Sequence, residues 1–169
     1  MHIVKKIFTF ILFFLIIGCK SNQLSKSLSQ KIVCPDVFFS SEHKKYVNGN
    51  LENSKYRAEI NNADFIEGCE SINSFFSSDL SLLFIIDPIE PKNRNINLPF
   101  YLAFIDDKNR LIDIQYFRAD GEFETEPQSN IFLQTELNKT VKVSLNSQER
   151  NFTIILGFML DNKKKLLLD

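Results

Sequence analysis

The sequence predicts an all-β fold, a single β-sandwich domain, and three observations carry that prediction. From Val33 onwards the apolar residues come in short runs rich in β-branched and aromatic side chains, with few alanines, broken by Asn, Asp, Gly and Pro. Two such runs, residues 100–105 and 111–117, flank Asp106-Asp107-Lys108-Asn109-Arg110, the pattern of two strands joined by a short polar turn. Tyr56, Ala58 and Ile60 alternate with charged partners, the period-2 signature of a half-buried strand.

In chain order, residues 1–18 stand apart from this pattern. Met1-His2-Ile3-Val4-Lys5-Lys6 carries two adjacent lysines, which resist translocation and stay cytoplasmic. Residues 7–17 are apolar except for Thr9. As a helix they would cover only ~16 Å, against a hydrocarbon core of about 30 Å, too short to span a bilayer comfortably. Ile16-Ile17-Gly18-Cys19 follows directly and resembles the lipobox of bacterial lipoproteins. The resemblance implies a signal peptide over residues 1–18, cleavage between Gly18 and Cys19, a diacylglyceryl thioether on the Cys19 sulfur and an acyl chain on the new amino group. At ~0.8 kcal/mol per buried methylene, three chains anchor far more firmly than one. Lys20 is not the aspartate associated with inner-membrane retention, so the same resemblance implies the outer membrane, facing the periplasm.

Residues 19–31 read as the lipidated cysteine and a polar, serine-rich tether, and residues 32–169 as the β-sandwich domain. Within the domain, strands are expected at residues 37–39, 55–60 and 80–86, the last a continuous apolar run stopped by Asp87-Pro88. After the 100–117 hairpin, further strands are expected at residues 131–135, 140–145 and 152–160, with Val141, Val143 and Leu145 on one face. Lys163-Lys164-Lys165 and Leu166-Leu167-Leu168 suit a short terminal helix or a loose tail. About seven or eight strands in roughly 130 residues match a sandwich of immunoglobulin or fibronectin-like size. A true immunoglobulin domain is not expected, because there is no tryptophan and Cys34 stands at the start of the domain. An eight-stranded lipocalin-type β-barrel is the alternative.

Once Cys19 is assigned to lipid, Cys34 and Cys69 remain as an even pair, and in an oxidising periplasm a disulfide between them is expected, two buried free thiols being the alternative. Closing a loop of that length stabilises by roughly 3 to 4 kcal/mol in the chain-entropy treatment. The order Cys34-Pro35, Glu67-Gly68-Cys69, the 80–86 run, the hairpin from Tyr101 to Phe117 and Leu156-Gly157-Phe158-Met159-Leu160 resembles a set of small uncharacterised alphaproteobacterial lipoproteins over nearly the whole domain. That resemblance implies the architecture and the disulfide, and no activity.

The residues offer little chemistry. The charge balance, 20 basic against 21 acidic residues, leaves no electrostatic footprint for nucleic acid. Gly49, Gly68, Gly121 and Gly157 are too scattered for a phosphate-cradling loop or a nucleophile elbow. His43 is the one histidine left after cleavage; it lies in a polar, loop-like stretch where a lone imidazole is more often solvated than catalytic. No metal is expected, since zinc usually takes four ligands. Glu122, Glu124 and Glu126 would face one way about 6.6 Å apart on a strand. That spacing suits a glycosidase carboxylate pair or a calcium site, although such clusters are more often solvated loops, and Pro127 suggests irregular backbone. No catalytic residue and no cofactor are therefore expected. The 17 phenylalanines should mostly fill the core, but adjacent pairs such as Phe38-Phe39 and Phe75-Phe76 cannot both point inward on a strand. The expectation is a membrane-anchored envelope lipoprotein serving as a non-enzymatic protein-interaction or structural module. A carrier of a lipid or other apolar ligand is the alternative, and a hydrolase using residues 120–126 ranks last.

Overall fold

A computed structural model describes residues 30–49, 53–72, 74–89, 94–127, 129, 131–146 and 151–161. The expected signal peptide, Cys19, the expected tether up to residue 29 and the residues from Lys163 to Leu168 lie outside the described residues. The described secondary structure is all strand: β1 (Gln30–Ile32), β2 (Val37–Phe39), β3 (Lys45–Asn48), β4 (Tyr56–Phe65), β5 (Cys69–Ile72), β6 (Phe75–Pro88), β7 (Asn95–Asp106), β8 (Leu111–Glu122), β9 (Thr135–Asn146) and β10 (Phe152–Phe158).

Two sheets form. In the first, β6 is central: β9 runs antiparallel along one edge, while β4 and β5 lie end to end along the other. Between the pairs Phe65↔Leu80 and Glu70↔Ser77 the β4–β5 side takes five steps against three on β6, so the chain loops out at Ile66-Glu67-Gly68. β3 then pairs with β4, and β1 with β5. The second sheet has the order β2-β10-β7-β8, with β2 and β10 parallel and the other pairs antiparallel. The sheets pack face to face as a β-sandwich, and no ladder closes them into a lipocalin-type barrel among the described residues.

Strand alternation builds the core. On β6, Phe76, Leu80, Leu82, Phe84 and Ile86 point inward, opposite Ile96, Leu98, Phe100, Leu102 and Phe104 of β7 and Ile154, Leu156 and Phe158 of β10. Phe84 sits with its ring 5.4 Å from that of Phe100 and 5.7 Å from that of Phe158, so rings fill the space between the sheets. Burying each such side chain stabilises by about 1.5 to 3 kcal/mol. The phenylalanine pairs divide as strand geometry requires: Phe76 is buried and Phe75 exposed, while Phe38 is exposed and Phe39 packs against the core.

A polar contact also joins the sheets. The Tyr56 hydroxyl on β4 donates to the Asn97 carbonyl on β7 at 2.7 Å and accepts the Asn97 N–H at 2.9 Å. Burial pushes the Tyr56 phenol up to about 12.

Several boundaries differ from the sequence reading. Gln30 and Lys31, taken as the end of the tether, are paired in β1. The expected strand at 131–135 reduces to an isolated Thr125↔Phe132 bridge. There, backbone bonds from Glu126 N–H to the Ile131 carbonyl and from Leu133 N–H to the Glu124 carbonyl make a small folded-back loop before β9 starts. The 106–110 turn forms as expected, and Asp106 explains its shape. The Asp106 carboxylate accepts the N–H groups of Lys108 and Arg110 at 2.9 and 2.8 Å and the Arg110 Nε–H at 2.7 Å, while Asn109 takes a left-handed φ of 59°. The Arg110 backbone N–H, helped by its guanidinium, holds Asp106 below the usual carboxylate range.

The Cys34–Cys69 disulfide is present, with the α-carbons 5.1 Å apart. It ties the segment that crosses from β1 in the first sheet to β2 in the second onto the first residue of β5.

Candidate functional site

The polar residues singled out in the sequence do not converge. His43 is half-buried rather than free in a solvated loop, because the turn between β2 and β3 folds it onto β7 and β10. Its Nδ1 lies 3.0 Å from the Tyr101 hydroxyl, and the two rings meet edge to face at 5.7 Å. Its backbone N–H donates to the Ser40 carbonyl, and its carbonyl accepts the Phe158 N–H at 2.7 Å. Gly157 leaves the room this needs: a β-carbon there would stand 2.8 Å from both the His43 Cβ and the Tyr101 hydroxyl. The contact that orients the imidazole is thus a phenol on a sheet face.

Glu122, Glu124 and Glu126 are all exposed. Glu122 faces Arg94 at 3.8 Å, and Glu126 accepts the Ser129 hydroxyl at 2.7 Å. Glu124 uses its backbone, donating its N–H to the Thr135 hydroxyl oxygen at 3.0 Å. These are the contacts of a solvated loop, not of a carboxylate pair across a cleft. Among the described residues no three His, Cys, Asp or Glu side chains are grouped to hold a metal ion.

What does converge is apolar. On the second sheet the outward-facing residues line up across the strands in register. One row runs Phe38, Ile155, Ala103, Ile114 from β2 to β8. A second runs Gly157, Tyr101, Tyr116, and a third Thr153, Ile105, Leu111. Leu111 and Tyr116 are each 61% exposed and Phe38 is 55% exposed, so the rows are open to solvent at these ends, while Ala103 and Gly157 within them are buried. Beyond them the face turns polar at Arg118 and Asp120, which bond to each other at 3.1 Å.

The outer face of the first sheet carries different rows. Asp79 stands beside Lys142, and Ser81 between Asp64 and Thr140. Leu83 lies between Asn62 and Asn138, and Ile85 between Glu59 and Glu136, with Asp87 beside Arg57. Leu83 and Ile85 are thus flanked by polar residues, and at the end of the face the exposed Phe75 stands between Ile72 and Asn146. No family model, curated protein or solved structure matches the chain.

The sequence held a signal for the apolar face. The runs 100–105 and 111–117 are apolar or aromatic at most positions of both parities, in Tyr101, Ala103 and Ile105 as well as Phe100, Leu102 and Phe104. A strand with one solvated face alternates, and a strand apolar on both faces has something to cover on each. The register across β2, β10, β7 and β8 could not be read from the sequence, because it depends on a parallel pairing between residues 37–39 and 154–156.

Proposed function

We propose that the chain is a membrane-anchored envelope lipoprotein whose β-sandwich is a non-enzymatic protein-contact module, with the outer face of the β2-β10-β7-β8 sheet as its contact surface. The observation that carries this reading is the three apolar rows, set against the polar outer face of the other sheet. With strands about 4.8 Å apart and alternate residues about 6.8 Å apart, one row of four positions and two of three give a patch on the order of 300 Å². Patches of that size on soluble domains are often functional. It is less than half of the about 800 Å² each partner buries in a standard complex, so the contact is of the weak, reversible class. The anchor on Cys19 supports such a role, because confinement to one membrane raises the effective concentration of a partner held in the same place. The partner chemistry that fits is a flat apolar protein surface.

Exposed carboxylates at 122–126 give no support to a hydrolase, and rings filling the space between the sheets give none to a ligand held inside the sandwich.

The test is site-specific photocrosslinking in the native envelope. A photoreactive phenylalanine at position 116 should yield a protein adduct of one defined mass, lost when Phe38→Asp is added on the neighbouring row. The same probe at position 142, on the other outer face, should give no such adduct. Adducts only to lipid, or identical adducts from both faces, would overturn the assignment.

A further inference from the structure

We propose that the Cys34–Cys69 disulfide is a redox-sensitive latch: reduction frees β1 and the crossover up to Asp36 while the rest of the sandwich stays folded. β1 is joined to the sheet by only three register pairs, Gln30↔Ser71, Lys31↔Glu70 and Ile32↔Cys69. Gln30 and Lys31 are exposed and Val33 is 94% exposed, so the half-buried Ile32 is the one apolar side chain of β1 that packs against the core and holds this stretch down. Ordering a backbone residue costs about as much as one net hydrogen bond returns, and three pairs at an edge leave no surplus. The covalent bond, two residues beyond the ladder on the β1 side, supplies what the ladder lacks.

The remaining architecture does not pass through this bond. The β6–β9 ladder runs from Phe75↔Asn146 to Ile86↔Thr135, and the β7–β8 ladder from Asn95↔Glu122 to Ile105↔Leu111. Neither long pairing includes Cys34 or Cys69, and both carry the core residues named above.

The two cysteines are unequally exposed. Cys69 is fully buried, whereas Cys34 is half-buried and lines an open groove of ≈ 320 Å³ together with Val33, Pro35 and Phe152. The reductant is an external dithiol. Its thiolate attacks the Cys34 sulfur, the Cys34–Cys69 bond breaks, and Cys69 leaves as a thiolate that takes up a proton. The second thiol of the reductant then displaces Cys34, which becomes a thiol, and the dithiol ends as a disulfide. Two electrons and two protons pass to the protein.

If Cys19 is the anchor, as proposed above, release through Asp36 lengthens the tether by residues 30–36. At ~3.3 Å per residue this adds up to about 23 Å of reach for the contact face. The latch itself does not depend on that reading, because its test reads amide exchange in the protein and not membrane attachment.

The experiment is hydrogen exchange by mass spectrometry on the full mature chain, oxidised and after dithiothreitol, alongside the Cys34→Ser/Cys69→Ser double variant. Peptides covering 30–36 should exchange at least tenfold faster in the reduced protein and in the variant, with β6, β7 and β9 unchanged in both. Unchanged exchange at 30–36 after thiol labelling has shown full reduction would overturn the proposal. So would protection lost throughout β6, β7 and β9, a double variant that does not fold, or a bond that dithiothreitol fails to reduce in the native protein.

Discussion

The two sheets present nearly the same face to each other and opposite faces to solvent. Inward, β6 and β7 carry matched series of Phe, Leu and Ile at alternate positions. Outward, β6 and its neighbours set polar residues on both sides of Leu83 and Ile85, while β2, β10, β7 and β8 place apolar side chains in adjoining rows. Folding alone requires only the inward series, since the hydrophobic term rewards any apolar surface removed from water and the interior already removes it. The outward apolar rows therefore ask for a second explanation, and contact with another molecule is the one proposed.

If the inner faces are equivalent, cutting into either should cost alike. Phe84→Ala on one sheet and Phe100→Ala on the other should each lose about 3 to 5 kcal/mol in denaturant melts, since both remove a ring from the same buried stack. A large disparity between them would show that one sheet holds the core and the other merely covers it.

The sheet-to-sheet bond offers a smaller and pH-dependent test. Tyr56→Phe leaves both backbone groups of Asn97 without their partner and should cost about 1 to 3 kcal/mol. The phenol is raised in the folded state from its ordinary 10.0 to about 12, so its contribution is complete below pH 10 and is lost as the pH climbs towards 12. Wild-type stability should therefore fall over that alkaline range more steeply than that of Tyr56→Phe, as followed by circular dichroism.

Two glycines, Gly157 on the outer face and Gly121 between the sheets, separate a firm seat from a yielding one. Gly157→Ala brings a β-carbon against the His43 Cβ and the Tyr101 ring, both fixed, and should cost about 1 to 3 kcal/mol. Gly121→Ala meets chiefly the Leu137 Cδ1, the far end of a flexible side chain, and should cost clearly less. Equal costs in thermal melts would mean that the His43–Tyr101 seat is not the firm part of the contact face.

The smallest effect on stability should come from the face itself. Tyr116→Asp should change folding by no more than about 0.5 kcal/mol, because an exposed side chain contributes little to it. It should nevertheless abolish the protein adduct formed by a photoreactive phenylalanine at position 111 on the same face, as Phe38→Asp does for the probe at position 116. A variant that melts far below the wild type would place Tyr116 among the structural residues and weaken the contrast between the faces.

The sequence carried the strand-rich class and the hairpin through Asp106 to Arg110, because both rest on local chemistry, β-branched runs and an Asx turn; the Cys34–Cys69 disulfide, which the structure contains, was expected from it only by setting the third cysteine, Cys19, aside for lipid. The sequence also placed the alternation at Tyr56, Ala58 and Ile60, which faces the core as expected. It missed β1, β3 and β5, which are three or four residues long and too short to show a period. It read a strand at 131–135 from apolar content alone, where backbone bonds to Glu124 and Glu126 turn the chain back instead. Only the tertiary structure decided that His43 rests on Tyr101 and that Phe38, Ile155, Ala103 and Ile114 form one row. The physical reason is that such neighbours are set by register between strands far apart in the chain, where a slip of one residue turns every side chain to the other face.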